Sequence, residues 1–203
     1  MPYEITQLKL RATTTGRAVA ALKDALPGAG GNLLACWYTD IGDLNQVMVI
    51  RHYESDGEIG AARRAMVESE NWHGAGDLVL SASSATFVLL PALPPLVAGS
   101  HGPFFEVRDY MLKPGVIKSN VERWEKALPG REKLSPVLGA MYAISGAMPR
   151  WLHIWPYKSL DERHRIRAEA VKTGVWPPPS SSPDATVTQA NAIYLAAEWS
   201  PIR

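Results

Sequence analysis

Tyr53-Glu54-Ser55-Asp56-Gly57-Glu58 and Tyr157-Lys158-Ser159-Leu160-Asp161-Glu162 are one phrase written twice, 104 positions apart. The same shift carries Tyr38, Gly42, Arg63, Val67 and Trp72 onto Tyr142, Gly146, Arg167, Val171 and Trp176. A shift of 102 carries Glu4 onto Glu106 and Ala25-Leu26-Pro27 onto Ala127-Leu128-Pro129. In a chain of 203 residues, a repeat near half the length means two copies of one module. Such copies usually pack against each other, and a pocket can form between them.

Each copy reads strand, helix, strand, strand, helix, strand. In copy 1, residues 3–10 alternate as a half-buried strand. Thr15 is the N-cap expected for a helix over 17–25, stopped by Pro27-Gly28. Segments 33–39 and 46–53 form a hairpin carrying Gly42, and 85–90 closes the copy. Ser55 and Glu58 make a capping box for a helix reaching about residue 69. Copy 2 predicts strands at 105–112, 137–144, 151–157 and 191–198, and helices at 116–127 and from Ser159 to about residue 172. The fold class is α+β: two tandem ferredoxin-like (βαββαβ) modules, 1–92 and 104–203, packed as a dimeric α/β-barrel around a proline-rich linker, 93–103. Segment 177–183 is a Pro/Ser-rich surface excursion, with a lid over a pocket as the weaker reading.

Composition removes several function classes. With 46% apolar and 20% charged residues, the chain is an ordinary soluble globular sequence. A net charge of +1 gives no global field toward nucleic acid or an anionic membrane. No run reaches the roughly 20 apolar residues of a membrane span. No signal peptide is evident, so a cytoplasmic setting is expected. Cys36 has no cysteine to pair with and reads as a small buried hydrophobe. The five histidines are scattered, no phosphate loop or nucleophile elbow is present, and neither a metal nor a cofactor is expected.

The candidate chemistry lies in copy 2. Along 151–157, Leu152 and Ile154 share one face, and Trp151, His153, Trp155 and Tyr157 share the other. Along 105–112, Arg108 and Tyr110 share a face with Glu106 and Leu112. The aliphatic face suits packing under the helices, which would turn the rings and the guanidinium into a cavity between the two sheets. Apolar walls with a few polar groups are the usual makeup of a small-molecule site. Arg108 is the candidate to hold a carboxylate or enolate, His153 to exchange a proton, and Tyr110 and Tyr157 to donate hydrogen bonds. Copy 1 replaces His153 and Trp155 by Val49 and Arg51 and keeps only Tyr53, so Arg51 is its one polar contribution to a shared cavity. Against this stand simple roles: aromatic rings at alternating positions are most often core, Arg108 has Glu106 as a partner, and a lone histidine is more often buried and satisfied. A third reading makes His153 a haem ligand. Basic Arg163, His164, Arg165 and Arg167 are interleaved with acidic residues, as on a solvated helix face rather than a nucleic-acid patch.

The stretch Phe105-Glu106-Val107-Arg108-Asp109-Tyr110-Met111-Leu112-Lys113-Pro114-Gly115 resembles the opening of the NIPSNAP family. His153-Ile154-Trp155-Pro156-Tyr157-Lys158-Ser159 resembles its second signature, and Trp176 fits the tryptophan after the second helix. Copy 1 is a degenerate match, keeping Tyr3-Glu4-Ile5 and Tyr53-Glu54-Ser55. The resemblance implies the dimeric α/β-barrel superfamily, whose members include cofactor-free monooxygenases and haem-handling enzymes. It implies no single reaction. Eukaryotic members are associated with mitochondria, whereas two bare modules look like a bacterial member. Two functional readings follow: a small-ligand protein for an apolar or aromatic carbonyl compound, either a binder or a cofactor-independent enzyme, and a non-catalytic interaction or scaffold protein. The modules pair within the chain or, as a homo-oligomer, with another chain.

Overall fold

The computed structural model describes residues 2–178 and 184–203. The first half supplies β1 (Tyr3–Leu10), α1 (Thr15–Ala25), β2 (Asn32–Ile41), β3 (Gln46–His52), α2 (Asp56–Glu68) and β4 (Val79–Leu89). The second supplies β5 (Phe104–Leu112), α3 (Ile117–Glu132), β6 (Gly139–Ala143), β7 (Arg150–Tyr157), α4 (Leu160–Lys172) and β8 (Thr186–Ala196). The strands close into one antiparallel barrel in the order β1-β3-β2-β8-β5-β7-β6-β4. Two seams join the halves: β2 pairs with β8, and β4 with β6.

The repeated glycines lie at these seams. Gly42, at φ +125°, leads out of β2, and a Cβ there would lie 2.9 Å from the Cβ of Ala192 on β8. Gly146, at φ +75°, follows β6, and its Cβ would meet that of Ala85 on β4 at 3.3 Å. Each glycine therefore serves twice, as a positive-φ turn residue and as the point of closest approach between halves.

Three apolar layers hold the fold. The lumen is filled from all eight strands, by Tyr3, Ile50, Phe87, Phe105, Ile154 and Tyr194 among others. Trp37 of one half stacks on Phe105 of the other there, with centroids 4.2 Å apart. A second layer packs Ala18 and Leu22 of α1 on Leu8, Val47 and Val49. A third packs Trp124 and Leu128 of α3 and Ile166 of α4 on β5 and β7. The proline-rich connector is part of this core. Leu96 is buried in the lumen cluster, its N–H donating to the Tyr3 hydroxyl at 3.2 Å, and Leu93 joins the third layer.

The capping serines behave as their sequence suggests. Ser55 and Ser159 accept from the backbone N–H of Glu58 and Glu162, while those glutamates reach one residue further back, to the N–H of Glu54 and Lys158. Ser159→Ala is expected to cost about 1 kcal/mol, read as a lower urea midpoint with unchanged slope. Several boundaries differ from the sequence reading. Thr14, not Thr15, holds the N-cap position of α1, and its side chain makes no cap bond. Helix α3 runs through Pro129, where the first half instead leaves its helix at Ala25 for a 3-10 turn over Leu26–Gly28. Strands β4 and β8 start earlier than expected, because their first turns of chain are exposed and carry no alternation to read.

Candidate functional site

The alternation along β5 and β7 is as the sequence reads, but its sense is reversed. Leu152 and Ile154 point into the lumen with Phe105 and Val107. Trp151, Trp155 and Tyr157 point outward beneath α3 and α4, and His153 shares their face, 4.7 Å from the Trp124 ring. The expected cavity between the sheets is therefore corrected. An eight-stranded barrel leaves just enough interior for side chains to fill, and this lumen is packed with aliphatic and aromatic groups whose few polar atoms are matched within the chain: the Tyr3 hydroxyl accepts from the Leu96 N–H, and Trp37 Nε1 donates to the Ile202 carbonyl. The imidazole, the two indoles and the guanidinium of β5 and β7 lie on the other face.

That face carries a cavity of about 600 Å³, outside the barrel, between β5, β7 and β8 and helices α3 and α4. Strand register sets its floor: Arg108 lies opposite His153, and Tyr110 opposite Trp151. Trp124 sits among the other rings, edge-on to Trp176 at 4.6 Å and tilted against Trp151 at 5.1 Å. Arg131 lies over the face of Trp155 at 4.2 Å. Val171 and Val187, 65% and 57% exposed, form an apolar rim. Pro177 and Pro178 also line the space, while the rest of the segment expected as an excursion or lid, 179–183, lies outside the described residues.

One carboxylate organises the base of the site. Glu106 is fully buried and accepts from Arg163 at 2.6 Å, Arg108 at 3.0 Å, Asn191 at 3.2 Å and Arg167 at 3.5 Å. Burial pushes its pKa up, but the Arg163 hydrogen bond and the three guanidinium charges outweigh this and hold it below the usual value. Arg108 is thus paired with Glu106, and it also donates from Nε to the Tyr110 hydroxyl at 2.5 Å. Arg163 and Arg167 turn inward rather than forming a solvated face.

His153 is 2% exposed, and its Nδ1 accepts from Trp155 Nε1 at 2.6 Å. A lone pair on Nδ1 puts the ring hydrogen on Nε2, which has no partner. Burial, then the charges of Arg108, Arg167 and Arg131, hold its pKa well below 6.5. The imidazole is therefore neutral and a donor, which corrects the expectation of proton exchange near neutrality. With the lone pair committed to Trp155, Nε2 is also not disposed to ligate haem. Trp151 Nε1 is a second buried donor without a partner. Among the described residues, no cluster of three or more His, Cys, Asp or Glu could hold a metal, and no helix is long and apolar enough to cross a membrane.

Arg51 and Tyr53 do not join this site. They lie in the counterpart position of the first half, a space of about 20 Å³ beneath α2. Arg51 fills it, donating to the carbonyls of Gly30 and Leu26. Tyr53 donates to Glu4 at 3.1 Å, and Glu4 also accepts from Arg63 at 2.6 Å. Burial first, then the charge of Glu4, raises the Tyr53 pKa to about 12. Burial likewise pushes the Cys36 thiol up to about 12, which removes it as a nucleophile.

The NIPSNAP family model matches this chain twice, over residues 3–94 and 105–201. The chain belongs to the NIPSNAP family. A relative described as Protein NipSnap homolog, from Dictyostelium discoideum, is 29% identical over 153 residues, which are 72% of this chain and 66% of that one. Among solved structures, an anthrone oxidase-like protein aligns with a TM-score of 0.66 at 7% identity, covering 97% of this chain and 91% of its own. A candidate monooxygenase from Fusobacterium nucleatum aligns with a TM-score of 0.63 at 11% identity, covering 96% and 91%. At such identities the likeness is one of fold. Within this NIPSNAP chain the two buried Glu–Arg–Tyr clusters, Glu4 with Arg63 and Tyr53, and Glu106 with Arg167 near Tyr157, occupy equivalent places under the helices. Glu106 and Arg167 repeat in step with Glu4 and Arg63, but nothing in that spacing marks them as part of a site. Trp124, Arg123 and Arg131 carry no such signal, since all three lie on a helix whose pattern reads as ordinary amphipathic surface.

Proposed function

We propose that the second-half cavity binds a small aromatic carbonyl compound. The observation that carries this is the pairing of an indole-walled space of about 600 Å³ with two buried, unpartnered N–H groups, His153 Nε2 and Trp151 Nε1. An unpaired buried donor costs about 1–3 kcal/mol, and a ligand oxygen offsets that cost. Flat rings pack against Trp124 and Trp176, while the oxygen takes the His153 N–H. A neutral imidazole polarises a carbonyl as an electrophile, and Arg108, across the strand pair, stabilises charge developing on an enolate. This is the part these residues would play in a cofactor-independent reaction. Tyr110 orients Arg108, and Tyr157 orients Arg131. We read residues 1–92 and 104–203 as two ferredoxin-like modules joined through 93–103, with the first keeping the architecture and the second the site.

The test is quenching of tryptophan fluorescence by 2-naphthoate and by its methyl ester, since four of the seven tryptophans line the cavity. Trp151→Phe keeps an aromatic ring, though a smaller one, and deletes one unpartnered N–H. It is expected to weaken affinity about fivefold or more and, because a buried indole is shortened to a phenyl, to lower Tm modestly while the fold is kept. A scaffold role would instead give no saturable quenching by either compound.

A further inference from the structure

Granted that the cavity holds a small aromatic molecule, we infer that this molecule is an anion, an aromatic carboxylate whose charged end sits among the guanidiniums. Four arginines line the cavity, Arg108, Arg123, Arg131 and Arg167, and no aspartate or glutamate does. The one carboxylate nearby, Glu106, is 0% exposed beneath the floor and is already divided among Arg108, Arg163 and Arg167.

Arg131 is the most telling of the four. It is 2% exposed, yet its hydrogen-bond partners are neutral oxygens: the Ser135 carbonyl at 3.1 Å, the Ser135 hydroxyl at 3.0 Å and the Tyr157 hydroxyl at 3.4 Å. A guanidinium out of water and beside neutral partners is held at a cost that an anion in the same space removes. Burial lowers its pKa, in keeping with that strain.

The polar atoms agree with the charge. The buried, unpartnered polar atoms in the cavity floor, His153 Nε2 and Trp151 Nε1, are both donors. A deprotonated carboxylate offers acceptors alone, which suits a wall of donors and cations; an amine or an alcohol would bring a further N–H or O–H into it. The first half supplies the contrast. There Glu4 faces Arg63, Arg51 is spent on backbone carbonyls, and almost no space remains.

The experiment compares 2-naphthoate with methyl 2-naphthoate, which share a ring and a carbonyl and differ in charge. At low salt the acid is expected to bind at least tenfold more tightly than the ester, and that ratio should shrink as salt is raised. Arg131→Gln should abolish the preference. Because Arg131 also ties α3 to Ser135, the partly exposed Arg123→Gln serves as a second variant, expected to cut the ratio about threefold with the Tm retained. Equal binding of acid and ester, or a preference for the ester, would overturn the anion and leave the aromatic cavity standing. Failure of both to bind would overturn the cavity reading with it.

Discussion

Glu106→Gln should lower stability by about 3–5 kcal/mol, the loss expected when one member of a buried ion cluster is removed and the rest are left facing each other. Three guanidiniums converge on a carboxylate with no exposure, so its removal leaves three like charges facing each other at the base of the cavity. For a chain of this length that is a fall in Tm on the order of 10 °C. The pH profile carries the same information. The folded pKa of Glu106 lies below its unfolded value, so its contribution is present above about 4.5 and is lost as pH falls through the folded pKa. His153 acts in a higher window. It is held neutral in the fold, whereas the unfolded imidazole takes a proton near 6.5, so stability already declines as pH drops below that value. Wild type should therefore lose stability in two stages on acidification, and the Gln variant should keep the upper stage and lack the lower one. A Gln variant with unchanged Tm at pH 7 and an unchanged acid profile would show that the cluster contributes nothing.

Phe105→Ala should cost about 3–5 kcal/mol by a different route. Phe105 is 0% exposed in the lumen, stacked on Trp37, and the surrounding strands are fixed by a closed ladder that cannot collapse into the space. Because the stack joins β2 of one half to β5 of the other, the loss should appear as a single cooperative transition at a lower denaturant midpoint. Two separate transitions, with only one displaced, would mean that the halves fold independently and that the lumen does not couple them.

The repeat made the order of elements and the twofold layout legible, because each copy confirms the other's boundaries. Alternation along β5 and β7 gave the right partition of side chains into two sets. It could not give the sense, since either a lumen or a helix-covered face can bury rings. The deciding fact was the size of an eight-stranded barrel, whose interior is already filled by packed side chains from all eight strands. Arg131 and Trp124 escaped notice for a related reason. They reach the site from a helix rather than from the strands that form its floor, and nothing local to α3 distinguishes a tryptophan that walls a cavity from one that fills a core. Arg63 and Arg167 were within reach, for they repeat in step with Glu4 and Glu106, and a charge kept in both copies together with its opposite is a sign of pairing.

The two seams between the halves lie within one polypeptide. In an assembly of identical subunits every substitution is made at both symmetry-related places, so a change that suits one location is imposed on the other. Covalent fusion lifts that constraint. Val49 and Arg51 could come to plug one side while His153 and Trp155 hollow out the other, and neither change had to be tolerated in duplicate. The barrel thus has the closure of a homodimer without its enforced symmetry, leaving one flank free to specialise while its twin serves as ballast.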